Sequence, residues 1–173
     1  MSAPSGKMKV LVGEDFACVK VSGRANFTLG IDFQTLLSEM QRRDYGYVVM
    51  DLSDCMLMDS TFLGILTGFG LKMSQTNGTK RRVVELLNPN SRVSDLLENL
   101  GVIQLFTVRH GTNESPCQEI QTGSSASPSH QELTRTCLDA HKILMDLSPE
   151  NAARFKDVAQ FLTEELKKQK TPA

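Results

Sequence analysis

Two nearby stretches of the sequence decide the fold: YVVMDLS at residues 47–53 and MDSTFLGIL at residues 58–66. The first stretch is a continuous apolar run rich in β-forming residues, which predicts a central strand covered on both faces. The second stretch places Asp59 and Ser60, residue types that cap helices, before apolar residues at helical spacing. We therefore predict a buried strand, a short loop and then a helix over residues 60–75.

The rest of the chain to residue 109 continues this alternation of strands and helices. The other predicted elements are strands at 8–12 and 16–21 that form a hairpin at a sheet edge, a helix across 33–43, a strand at 83–88, a helix from Asn90 to Gly101 and a strand at 105–108. Strands that alternate with helices need crossover connections. The sequence therefore predicts an α/β fold in which a mostly parallel sheet is layered with helices.

The composition divides the chain into four parts. Residues 110–129 are rich in Ser, Thr, Gly, Gln and Asn, and such a segment buries too little apolar surface to fold alone. After it, two apolar stripes at helical spacing flank Ser148 and Pro149, a favourable helix start, and they predict an α-helical hairpin. The predicted parts are a disordered tail (1–7), the α/β core (8–109), a flexible linker (110–129) and a C-terminal helical hairpin (130–170).

Two arrangements of the predicted hairpin are compatible with its stripes. In the first, its helices pack on each other or on the core. In the second, they form an arm that docks a partner or joins two copies of the chain as a homodimer.

Composition and charge exclude several classes of function. The 173 residues carry a net charge of −1, which provides no basic surface for a nucleic acid or an anionic membrane. No apolar run approaches the ~20 residues that span a bilayer, and the four cysteines form no C-x-x-C pair. These features predict a cytoplasmic protein without a metal site, and no residue pattern calls for a cofactor.

The sequence also argues against catalysis. The three histidines, His110, His130 and His141, lie far along the chain from Asp59 and Ser60. No motif of a nucleophilic, metal-dependent or phosphate-binding enzyme is present in the sequence. We therefore predict that the protein is not an enzyme.

The motif around residue 59 resembles that of a known family. A strand ending in Asp-Leu-Ser at 51–53, followed by Asp-Ser-x-x-Leu-Gly at 59–64, is similar to the STAS domain of bacterial anti-sigma factor antagonists. Further matches, in the family's order, are Gly23-Arg24, Asn88-Pro89 and Leu100-Gly101-Val102. The resemblance spans most of residues 8–109 and implies a STAS-like mixed sheet of about five strands layered with helices. The C-terminal α-helical hairpin has no counterpart in the minimal family domain.

The resemblance implies a phosphorylation switch at Ser60. In the family, the serine after the aspartate is phosphorylated by the partner, an anti-sigma factor with serine kinase activity, and a serine phosphatase restores it. The unphosphorylated protein would bind the anti-sigma kinase and free a sigma factor, and the phosphorylated protein would release the kinase. A phosphate suits the positive end of a helix, but it adds roughly −1.5 to −2 charges beside Asp59, which weakens docking. The implied partner-binding residues are Asp59, Ser60, Thr61, Phe62, Ile65 and Phe69.

Several alternatives stay open at this point. Asp59 and Ser60 also fit a purely structural helix cap. Phe62 stands where the family usually has glycine, on the expected outer side of the helix start, and either anchors a partner or obstructs a kinase. The row of Phe62, Ile65 and Phe69 either meets another helix of the same domain or forms an exposed recognition patch. The competing function is a STAS scaffold or a transporter-accessory binding module without sigma-factor control.

Overall fold

The computed structural model of the protein describes residues 5–75, 82–112, 118–121 and 128–170. Within these ranges, the strands are β1 (Lys7–Val12), β2 (Phe16–Ala25), β3 (Tyr47–Met58), β4 (Val83–Leu87), β5 (Thr107–Arg109) and β6 (Gln118–Gln121). The α-helices are α1 (Phe27–Arg42), α2 (Ser60–Ser74), α3 (Ser91–Asn99), α4 (His130–Met145) and α5 (Pro149–Lys170), and a short 3-10 helix covers Ile103–Leu105. The predicted disordered tail lies mostly outside the described residues, and its last residue, Lys7, begins β1.

The described strands form one mixed sheet in the order β5-β4-β3-β2-β1-β6. Strands β2 to β5 pair in parallel with their neighbours, whereas β1 pairs antiparallel with β2 as the second arm of a hairpin. Strand β3 lies between β2 and β4 inside the sheet. The predicted α/β architecture, with its mixed sheet and its buried central strand, is confirmed.

One strand lies where the sequence predicted a flexible linker. Gln118–Gln121 pairs antiparallel with β1, with Lys9 opposite Gln121 and Val12 opposite Gln118. The free N–H and C=O groups of an edge strand accept a further strand through the backbone alone, so composition gave no signal for β6. The predicted edge hairpin is therefore covered by β6. The rest of the linker, at 113–117 and 122–127, lies outside the described residues.

The main core lies between the helices and one face of the sheet. Alternate residues of a strand point to opposite faces, so Met50 and Leu52 join the main hydrophobic cluster with residues of α1, α2 and α3. On the other face, Val49 forms a smaller cluster with Cys18 and Leu87. The helices are therefore layered mainly on one side of β3.

The loop that the sequence predicted before α2 is strand for most of its length. Strand β3 continues to Met58, because β2 also extends to Ala25 and supplies the pairing partner. The side chain of Asn90 donates from Nδ2 to the carbonyl oxygens of Cys55 and Met56, both at 3.0 Å. Only one residue, Asp59, therefore connects β3 to α2.

The carboxylate of Asp59 caps two helices. Its Oδ1 accepts the Phe62 N–H at 2.8 Å in the first turn of α2, and its Oδ2 accepts the Phe27 N–H at 2.8 Å at the start of α1. Burial raises the pKa of Asp59 above its ordinary value, although the N–H groups of Phe62 and Phe27 act to lower it. The structural cap that the sequence left open is therefore present.

The C-terminal residues form the predicted helical hairpin. A capping box between Ser129 and Glu132 starts α4, and Ser148 Oγ accepts the Asn151 N–H at 3.1 Å at the start of α5. Helix α4 packs on α5 and also on α2 and α1, where Ala140 joins the main core. Of the two arrangements left open, packing on the core is the one in this structure, and a homodimer stays a prediction. The division of the chain into separate domains also stays a prediction.

We expect Asn151→Ala to lower the free energy of unfolding by about 2 kcal/mol. Asn151 is 1% exposed, and its Nδ2 donates to the carbonyl oxygens of Leu100 and Leu144, both at 3.0 Å. The substitution leaves both buried carbonyls without this donor. Urea unfolding measures the loss, and Lys156→Ala, an exposed site on the same helix, is the control and should change stability by less than about 0.5 kcal/mol. Equal stability of the two variants would contradict the prediction.

We expect the stability difference between the native protein and Asp59→Asn to depend on pH. A raised pKa means that the folded protein holds the Asp59 proton where the unfolded chain has lost it, so stability falls as pH rises through that interval. Asparagine does not titrate. The advantage of the native protein over Asp59→Asn should therefore be largest in acid and shrink towards neutral pH.

Urea unfolding of both proteins across a pH series tests this dependence. Asp157→Asn, an exposed position on α5, controls for the loss of one negative charge. An advantage that instead grows with pH would show that the two amide hydrogen bonds outweigh the cost of burying the charge.

Candidate functional site

Ser60 is the first residue of α2 and follows the capping aspartate directly. Its hydroxyl lies 2.8 Å from Nε2 of His141, a residue of α4 that is 5% exposed. The sequence analysis placed His141 far from this site, and the structure corrects that expectation. Folding the C-terminal hairpin onto α2 brings together two residues that are 81 positions apart.

The hydrogen bonds of His141 define which ring nitrogen donates and which accepts. Nδ1 lies 2.6 Å from the carbonyl oxygen of Cys137, and a carbonyl oxygen can only accept, so Nδ1 carries a proton. In the neutral imidazole, Nε2 is then the acceptor for the Ser60 hydroxyl. The rings of Phe155 and His141 meet in a T-shaped contact at a centroid distance of 5.1 Å. The Ser60 hydroxyl is therefore held by an oriented and buried acceptor.

Phe62 does not lie on the outer side of the helix start. The side chain is fully buried, and its ring stacks on Phe33 of α1 at a centroid distance of 4.0 Å and an interplanar angle of 6°. The turn from β3 into α2 points position 62 towards α1, because Asp59 caps both helices and holds their N-termini together. The expectation of an outward Phe62 was wrong for this reason.

The other predicted partner-binding residues on α2 are also covered. Thr61 is 5%, Ile65 7% and Phe69 5% exposed. The row of Phe62, Ile65 and Phe69 therefore meets other helices of the same chain, as one of the two alternatives proposed. A role for these side chains in binding a partner stays a prediction.

A third face of α2 lies against α4 at unusually close range. A methyl group placed on Gly64 would come within 2.8 Å of the Ala140 Cβ and closer still to the Ala140 carbonyl oxygen. One turn further on, a methyl group on Gly68 would come within 2.9 Å of the Ile143 Cδ1, the end of a flexible side chain. Gly64 therefore allows the backbones of α2 and α4 to touch.

His141 is the site residue that sequence reasoning missed. Its spacing within the apolar stripe of Cys137, Ala140 and Leu144 indicates that the ring faces inward, but a stripe does not identify the surface it meets. A small pocket between α1, α2 and α4 is lined by residues such as Ser38, Ile65 and Asp139, and neither Ser60 nor His141 contributes to it. The hydroxyl–imidazole pair therefore does not open into this pocket.

Two further searches covered only the part of the chain that the structure describes. There, no three or more His, Cys, Asp and Glu side chains are grouped so that they could hold a metal ion. Among the same residues, no helix combines the length and the apolarity that crossing a bilayer requires.

Comparison with known proteins identifies the fold. Neither a family model nor a curated protein sequence matches this chain. Among solved structures, the anti-sigma factor antagonist SpoIIAA in its unphosphorylated form aligns with a TM-score of 0.51 at 16% identity, covering 62% of this chain and 90% of that one. An anti-sigma factor antagonist from Mycobacterium paratuberculosis aligns with a TM-score of 0.52 at 18% identity, covering 62% of this chain and 89% of that one. The phosphorylated form of the Bacillus cell fate determinant SpoIIAA aligns with a TM-score of 0.51 at 16% identity, covering 62% of this chain and 93% of that one.

These alignments cover almost the whole of each solved chain and about three fifths of this one. At such identities the likeness concerns the fold alone. It agrees with the mixed α/β sheet described above. The chain therefore has the STAS-like fold of anti-sigma factor antagonists.

Proposed function

We propose that this protein is an anti-sigma factor antagonist that acts by partner switching in the cytoplasm. The unphosphorylated protein binds an anti-sigma factor with serine kinase activity and thereby frees a sigma factor. Phosphorylation of Ser60 by that kinase releases it, and a serine phosphatase restores the binding form. The protein itself carries out no catalysis.

The observation that supports this proposal most strongly is the position of Ser60. The residue opens α2 immediately after the Asp59 cap at the end of β3, within a STAS-like sheet. Two of the similar solved structures are a phosphorylated and an unphosphorylated form of one antagonist. The same fold therefore accommodates a phosphorylated state in that protein.

The charges around Ser60 favour a strong response to phosphorylation. Asp59 lies beside the hydroxyl, and its carboxylate already occupies the Phe62 N–H in the first turn of α2. Burial raises the pKa of Asp59, so the environment already disfavours one negative charge. A phosphate adds roughly −1.5 to −2 charges. Repulsion between the two groups would change this surface and weaken docking of a partner that fits the neutral hydroxyl.

A second candidate function is supported by the contact that already engages Ser60. The residue is partly buried and its hydroxyl is hydrogen-bonded to His141 of α4, which restricts the access of a kinase. A STAS scaffold or transporter-accessory module needs no accessible serine. Stable binding of a partner without any phosphate on Ser60 would favour that function.

The Ser60–His141 pair also has the short distance of a nucleophile and its base, and Nδ1 of His141 is oriented by the Cys137 carbonyl oxygen as such a base would be. Among the residues that the structure describes, the absence of a neighbouring substrate pocket argues against an enzyme. The pocket between α1, α2 and α4 excludes both side chains of the pair. A binding role fits this covered site better than turnover of a substrate.

The test is to recover the tagged protein from its native cells and map its phosphates by mass spectrometry. We expect one phosphate on Ser60 that appears and disappears between growth states. Ser91 is the matched control, because it opens α3 directly after its own cap, Asn90, and is exposed. Ser91→Ala should leave the modification unchanged, and Ser60→Ala should abolish it.

Partner capture completes the test of the proposed function. The protein that co-purifies with Ser60→Ala should be a serine kinase that phosphorylates the native protein in the presence of ATP, and Ser60→Asp should not retain it. If Ser60 stays unmodified in every growth state while a stable complex persists, the switch is wrong and the scaffold function takes its place.

A further inference from the structure

Helix α4 covers the part of α2 that begins with the proposed switch. The two helices touch at Gly64 and Ala140, where the absence of a side chain on Gly64 lets α4 approach the backbone of α2. At the start of α2, His141, the residue after Ala140 in α4, holds the Ser60 hydroxyl. One helix of this chain therefore occupies both the face of α2 and its N-terminal serine.

The Ser60 hydroxyl is partly buried and already engaged in this arrangement. Phosphoryl transfer needs the attacking oxygen in line with the transferred group. His141 lies at hydrogen-bond distance from Ser60 and is itself buried, so α4 restricts the approach of a kinase to this oxygen.

The contact between α2 and α4 combines small and polar residues with apolar ones. Ser60 and Gly64 of α2 meet His141 and Ala140 of α4, and Gly68 meets the end of Ile143. Ala140 and Leu144 also belong to the main hydrophobic cluster, so α4 leaves α2 only by exposing some of this apolar surface. About 62% of this chain aligns with about nine tenths of each solved antagonist. Those proteins therefore fold without a counterpart of the remaining part of this chain.

We infer that the C-terminal hairpin is an internal competitor for the partner-binding surface on α2. The closed protein engages the Ser60 hydroxyl and covers one face of α2, and the anti-sigma kinase binds α2 only in molecules whose hairpin has left it. The inference rests on the proposed function for the identity of the partner. The displaced helix indicates the partner's shape: a helix with a small residue where α4 has Ala140, because only a small residue fits against Gly64.

The first experiment measures opening of the hairpin without any partner. Cys137 of α4 is half-buried beside Thr61, and its alkylation rate, followed by peptide mass spectrometry, reports how often α4 leaves α2. We compare Gly64→Ala with Gly68→Ala. Both substitutions raise helix propensity equally, but only the first drives a methyl group into the backbone of α4, since the second meets the flexible end of Ile143.

We expect Cys137 to react about tenfold faster in Gly64→Ala than in Gly68→Ala, because the clash disfavours the closed state. Equal rates would overturn the inference, since the hairpin would not open at this crossing. Elution of Gly64→Ala as a dimer would also overturn it, because the released hairpin would then bind a second copy of this chain in place of a partner.

The second experiment locks the hairpin closed. A Cβ on Gly30 of α1 would lie 3.7 Å from Cγ2 of Thr136 of α4, so the pair Gly30→Cys and Thr136→Cys is placed to form a disulfide between these helices. Neither residue belongs to the predicted partner-binding set. The oxidised form should neither bind the kinase nor be phosphorylated, and reduction should restore both, whereas the native protein under the same oxidant should be unaffected.

The two experiments separate this inference from the proposed function. Equal binding by the oxidised and reduced forms would overturn the competition while leaving the antagonist function intact. If no form binds a kinase, the proposed function fails, and with it the assignment of the partner. The alkylation rates would then still decide whether the hairpin opens.

Discussion

The site depends on one carboxylate that accepts hydrogen bonds from two helices. Asp59 bonds to the amide of Phe62 at the start of α2 and to the amide of Phe27 at the start of α1, so both N-termini converge on a single residue. This convergence stacks Phe62 on Phe33 and fixes the direction in which α2 leaves the sheet. The carboxylate is partly buried as a consequence, which raises its pKa. A second negative group beside it therefore enters an environment that already resists charge.

The two sides of α2 are packed in different ways. Towards the sheet and α1, large apolar side chains such as Phe62 and Leu66 are fully buried. Towards α4, Gly64 lets the two helices approach closely and Ser60 bonds to His141, while Ala140 and Leu144 of α4 join the main hydrophobic cluster. The first side is packed by large apolar side chains. The second side combines close backbone contact, hydrogen bonding and some apolar packing.

The sequence predicted the features that depend on neighbouring residues, such as strand patterns and helix caps. The apolar run of β3 and the caps at Asp59 and Asn90 lie where the pattern placed them, and Gly101 ends its helix with a φ of 70°. Contacts between distant segments left no comparable signal. Strand β6 pairs through its backbone, and His141 reaches Ser60 only because a hairpin 81 residues away folds back onto α2. A periodic stripe states that a helix face is buried, but it does not name the surface that buries it.

Strand β6 limits how far the hairpin could move from α2 in the proposed competition with a partner. Its pairing with β1 fixes Gln121 opposite Lys9. Gln121 is only eight residues before Ser129, the cap of α4, and a chain spans at most about 3.5 Å per residue. A hairpin that leaves α2 therefore stays nearby, at an effective concentration on the order of millimolar. Because this equilibrium is intramolecular, the closed fraction does not vary with the amount of the protein in the cell. In the proposed competition, a partner that binds α2 would shift this equilibrium according to its own concentration, and not according to the concentration of this protein.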